Sequence, residues 1–270
     1  MKTIRDTKQD DLTLRLLQMK AGYTGVVFAA DGACKARIEG ADADDVWRRL
    51  QIEAGKANPR YVGFDGARSR FLHFFPNGFA SNGYLQQERD YKVRAKTRLD
   101  EQVPLERAAR ETGFGEAALG VFRMTNLFSP FEMMRIQDVL RGNAADPFLQ
   151  AAARFALGDT TASLGAMQKV LKPHDSAKWT VATYLPFLWL PEAHMFLKPE
   201  VTKDFAARVG HRLASIYEAR LDVDIYDALL DLVGETETEL TDLEPRDRID
   251  VQSFIWVVGY YKEGQHAPRP

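Results

Sequence analysis

Apolar positions recur with two different periods along this chain, and the change of period divides it. Over residues 1–103 they come in short runs bounded by turn residues, as strands do. Runs 23–29 (YTGVVFA) and 33–39 (ACKARIE) flank Asp31-Gly32 and predict a β-hairpin. Asp42 or Asp44 stands where it can cap a helix through Val46, Trp47, Leu50 and Ile52 towards Gly55, with Pro59 as its stop. Runs 60–64 and 69–75 flank Asp65-Gly66 and predict a second hairpin. A helix over 81–100 follows, with Tyr84, Tyr91, Ala95 and Leu99 on its inward face.

Beyond Pro104 the period is helical. Ser129-Pro130 and Asp146-Pro147 each join a capping side chain to a first-turn proline. Pro199 and Glu200 open a helix over 201–209 that Gly210 can close. Residues 222–243 set Ile225, Leu229, Val233 and Leu240 on one face, with acids largely opposite. Residues 250–261 (DVQSFIWVVGYY) are apolar nearly all round, which suits a buried helix or a central strand; helix is the reading taken. The predicted class is α+β: an N-terminal small domain of two β-hairpins and two helices (1–103), then a mainly helical domain (104–262) and a flexible tail (263–270).

Composition changes little in this picture. Hydrophobic content of 45% and charged content of 27% are ordinary for globular chains. A single cysteine, Cys34, allows no internal disulfide or Cys-rich zinc site and fits a reducing cytoplasm. The N-terminal residues are polar, without the apolar stretch of a signal peptide, and the most apolar run, 179–191, is shorter than the ~20 residues that span a bilayer. A cytoplasmic protein without membrane contact is expected.

Charge distribution changes more. The net charge is −2, yet residues 60–98 carry 8 Lys/Arg against 3 acids, and residues 218–250 carry 12 acids against 3 Arg. Eight aromatics are interleaved with the cations of 60–98, a mixture suited to holding phosphates while offering rings to bases. Arg60, Arg68 and Arg70 of the second hairpin, with Arg89, Lys92, Arg94, Lys96 and Arg98 of the following helix, form the expected basic surface.

Other patterns compete. In 104–123, Ala109, Gly113, Phe114, Leu119 and Phe122 fall at helix-turn-helix spacings, but the second helix lacks the Arg, Asn or Gln that read a major groove. Asp65 with Asp90 and Lys92 approximates the spacing of a metal-dependent nuclease, although the second half has helical rather than strand periodicity. Trp179, Tyr184, Phe187, Trp189 and Phe196 could line a partner groove, or simply pack a core. Arg68 and His73 show an Arg-x4-His spacing that resembles the ribonuclease motif of HEPN domains; in strand-like text it is read as coincidence. No phosphate loop, nucleophile elbow or paired-histidine metal motif is present, so no cofactor or metal is expected. The leading expectation is a non-catalytic nucleic-acid-associated protein whose acidic half is open to a protein partner. The alternatives are a phosphodiester hydrolase centred on Asp65, Asp90 and Lys92, and a protein-binding scaffold.

Overall fold

A computed structural model describes residues 2–9, 11–57, 60–262 and 264–266. Pro59, expected as a helix stop, and residues 263 and 267–270 of the expected tail lie outside the described residues. The class is α+β, with an N-terminal antiparallel sheet packed on one helix and a mainly helical remainder. The chain forms two compact units: Met1–Arg68 with Lys203–Tyr217, and Ser69–Thr202 with Glu218–Pro270.

In the first unit, β1 (Lys2–Gln9), β2 (Leu12–Gln18), β3 (Tyr23–Phe28) and β4 (Cys34–Gly40) pair in sequence order. The predicted β3–β4 hairpin is present, closed by Gly32 in the left-handed region at φ +81°. Alternation in β2 (LTLRLLQ) turns Leu14 and Leu16 to one face, where both are fully buried. Leu14, with Val27 of β3, meets α1 (Ala43–Gly55), whose Leu50 and Ala54 complete a small core. Asp42 caps α1 as expected, accepting from the Asp45 N–H at 2.7 Å.

The other hairpin is not where the sequence placed it. Strands β1 and β2 form it, whereas 60–75 holds α2 (Gly63–Phe74). Ala67, Phe71, Phe74 and Phe75 are all buried, and their spacing of four, three and one is helical rather than alternating. The segment 203–217 completes the unit. Val62 N–H donates to the Arg208 carbonyl at 2.8 Å, and Phe64 packs edge-on to Phe205. Gly55 lies so close to Gly210 that a Cβ on it would meet the Gly210 Cα at 2.3 Å.

The second unit begins within α2. Short α3 (Asn82–Tyr84), capped by Ser81, runs through a π-helical turn (Leu85–Arg89) into α4 (Asp90–Gln102). Then come α5 (Leu105–Ala108), α6 (Gly115–Phe122), α7 (Pro130–Arg141), α8 (Ala145–Ala156) and α9 (Thr160–Leu171). The chain continues through α10 (Trp179–Trp189), α11 (Pro199–Val209), α12 (Leu213–Ile216), α13 (Val223–Glu239) and α14 (Arg248–Tyr260). Ser129 starts α7 with a reciprocal capping box to Glu132. Helix α8 starts at Ala145, one residue ahead of the expected Asp146 cap; the Asp146 carboxylate instead accepts from the Gly113 N–H at 2.8 Å. Residues 250–260 fall in the largely buried helix α14, as read from the sequence, and Tyr261 caps its end in extended backbone. Among the described residues no helix is long and apolar enough to cross a membrane.

Candidate functional site

The sheet of the first unit presents its outer face opposite α1. Cross-strand register sets Asp6, Arg15, Val26 and Arg37 in one row, and Lys8, Thr13 and Phe28 in the next. Arg15 reaches Asp6 at 2.7 Å, Arg37 reaches Glu39 at 2.7 Å, and all four remain substantially exposed. Exposed pairs of this kind hold their partners weakly, so the guanidinium groups can turn to another anion. The Arg15 guanidinium lies over the Phe28 ring at 6.0 Å from its centroid. Beside them is a hollow of about 530 Å³, lined by Lys8, Asp11, Thr13, Arg15, Phe28 and the turn through Gly32.

Charge separates the two units. Residues 1–68 and 203–217 hold 15 Lys/Arg and 11 Asp/Glu, net +4; the remainder holds 21 and 27, net −6. Sequence reading missed the sheet cations because β1 is polar on both faces and its hairpin went unseen. The readable signal was the alternation of β2, which assigns Thr13, Arg15 and Leu17 to one side.

The expected basic surface of 60–98 is only partly on the outside. In the first unit, Arg60 is exposed and pairs with Asp204 at 3.0 Å, and Arg68 is half-buried. In the second, Arg70 donates to the carbonyls of Val258 (3.0 Å) and Tyr261. Lys96 donates to Asp100 at 2.9 Å and to the Trp189 carbonyl at 3.1 Å, while Arg94 and Arg98 are exposed. Lys92 leaves the surface altogether and Arg89 keeps only 12% of its side chain exposed, which corrects their placement on the basic surface.

These two cations belong to an interior network between the start of α4 and α14. The π turn widens the helix there and brings Glu88 and Arg89 inward. Arg89 forms a bidentate pair with Asp247 (2.8 and 2.7 Å) and a third bond to Asp250 at 2.7 Å. Tyr84 donates to the same Asp250 oxygen at 2.5 Å, and the Arg246 N–H to the other at 2.9 Å. Lys92, fully buried, donates to Ser253 at 2.8 Å and Glu88 at 3.3 Å, and Tyr261 donates to Glu88 at 2.7 Å. Burial lowers the Lys92 ammonium pKa against the opposing pull of Glu88, and burial raises Tyr84 and Tyr91. Burial also opposes the Arg89 cation, but the Asp247 and Asp250 contacts outweigh it and raise its pKa. The network joins two helices; its groups already satisfy one another.

The remaining candidates come apart in the same way. Asp65 is exposed in the first turn of α2 and Asp90 half-buried at the start of α4, but Lys92 has no exposed atom with which to activate a water. Trp179, Tyr184, Phe187, Trp189 and Phe196 are all buried, so they form core and no partner groove. In the helix-turn-helix region, α5 spans four residues and α6 buries Ala118, Leu119, Val121 and Phe122, leaving Glu116, Ala117 and Gly120 outermost, none of which reads a base edge as Arg, Asn or Gln would. Gly115 packs where a Cβ would meet the Leu140 carbonyl at 2.2 Å, and the buried small residue before the turn is Ala108 rather than Ala109. The run holding Arg68 and His73 is helical, not strand-like, and five positions put them about 140° apart around its axis. A cleft of about 350 Å³ in the second unit is lined by four acids, Glu192, Glu237, Glu244 and Asp247, against one cation, Arg246, a balance that repels phosphate.

No protein-family model, curated protein or solved structure matches this chain.

Proposed function

We propose that the protein associates with nucleic acid through the outer face of its N-terminal sheet, as an accessory component rather than a catalyst. The observation that carries this reading is the set of exposed cations Lys8, Arg15 and Arg37 on that face, with Arg15 over the Phe28 ring, on a unit of net charge +4. Arg15 and Arg37 can trade their exposed partners Asp6 and Glu39 for backbone phosphates, and release of the counterions condensed on the nucleic acid drives binding. The helical unit, net −6, repels phosphate and is the half left to a protein partner. A reducing cytoplasm suits the exposed, unpaired Cys34.

The test is equilibrium binding of the full chain to labelled duplex DNA, single-stranded DNA and RNA at two salt concentrations, with and without Mg²⁺. Affinity should fall with salt, with a log–log slope of about −2 to −3 for three neutralised phosphates. The combined Lys8→Gln, Arg15→Gln, Arg37→Gln variant should flatten that slope. Absence of binding at low salt overturns the proposal, and Mg²⁺-dependent cleavage would replace it with a hydrolase.

A further inference from the structure

The geometry points to the hollow beside Phe28 as a subsite for one unpaired base of a single-stranded nucleic acid; this rests on the nucleic-acid reading above. Phe28 ends β3 directly opposite Thr13, with Lys8 beyond it in the same cross-strand row and Arg15 on the diagonal. Phe28, Arg15, Thr13 and Lys8 therefore line one concavity, and Asp11 lines it with them. Its volume, about 530 Å³, lies in the range of small-molecule sites.

Each group has a chemical counterpart in a nucleotide. Phe28 and the Arg15 guanidinium offer flat faces on which a base stacks. Lys8 and Arg15 provide cations for the phosphates on either side of that base. Asp11 can accept from a base N–H on its pairing edge, and Thr13 can donate or accept there. Gly32 leaves its side of the hollow open, since a Cβ on it would meet nothing within 4 Å. A paired base has its faces covered by its neighbours and its edge by its partner, so a duplex cannot fill a recess lined this way. An unpaired base can turn in, from RNA or from single-stranded DNA alike. The acid in its lining separates this site from a general anion pocket, which would exclude a carboxylate.

The experiment uses full-length protein and oligonucleotides carrying 2-aminopurine, whose fluorescence is quenched when it stacks. Quenching is expected in single-stranded DNA or RNA and not in the matching duplex. Phe28→Leu should abolish the quench and reduce the ratio of single-strand to duplex affinity by about tenfold. Phe28→Tyr should restore both, which separates stacking from a loss of fold. Equal affinity for single strand and duplex, or a quench that survives Phe28→Leu, overturns the subsite while leaving nucleic-acid binding in place. Failure to bind any of the probes overturns both.

Discussion

At the residue scale, what matters most is which charges are inside. Lys92 and Arg89 sit on a helix whose composition looks exposed, yet their partners Ser253, Asp247 and Asp250 lie about 160 positions away, at separations of 161, 158 and 161. A count of cations was legible in the sequence; the direction of each side chain was not, because it depends on partners this remote. Removing one member of a buried pair strands the other, so Lys92→Met should cost about 3–5 kcal/mol in urea unfolding. Adding Glu88→Gln to that variant should recover part of the loss, which a simple packing defect at Lys92 would not show. His194 gives a pH signature. It is buried between the Tyr226 hydroxyl (2.9 Å) and the Ala156 carbonyl (3.0 Å). Burial lowers its pKa below 6.5, with Arg248 adding to the effect and the Ala156 bond opposing it. The unfolded chain therefore takes up the proton first. The stability it contributes is complete above about pH 6.5 and is lost as pH falls towards the folded value, by at most about 1.4 kcal/mol per pH unit. His194→Gln should reduce the difference in unfolding free energy between about pH 7.5 and about pH 5.5.

At the scale of elements, capping signals proved the most readable. Asp42 and Ser129 each cap a helix where the sequence placed one, since a cap acts within a single turn and needs no distant partner, whereas Asp146 falls inside α8. Strand assignments were less secure. The Asp65-Gly66 pair suggested a turn, yet both residues lie in α2, and the buried set Ala67, Phe71, Phe74 and Phe75 carried the better signal. Strand β1 lacked a signal of its own: as an edge strand exposed along most of its length, it shows no buried face to read. The close approach at the end of α1 was equally hidden, because nothing local to Gly55 announces Gly210. A methyl group there collides with backbone, so Gly55→Ala should lower the thermal midpoint although alanine favours helix. A gain in midpoint on that substitution would show that the two chain segments can separate at no cost.

At the scale of the whole molecule, the imbalance of charge was visible from the start, and its division by unit, +4 against −6, refines where a polyanion can settle. The candidate site itself was the least legible part. It depends on the register of four strands, one of which the sequence did not reveal, and on side chains brought together from β1, β2 and β3. The composition of the first unit has a further consequence during synthesis. Residues 69–202, 134 in all, must leave the ribosome before the strip Lys203–Tyr217 can join the sheet and α1. At about 5–20 residues per second that is a wait of roughly 7–27 s. Throughout it, the Gly55 surface, Tyr61 and Phe64 have no covering strip, and the nascent chain keeps apolar surface in water. A fragment ending at residue 68 would remain in that state permanently: it should bind a dye for exposed apolar surface and unfold without a sharp transition. Supplying 203–217 through an engineered connection should restore cooperative melting.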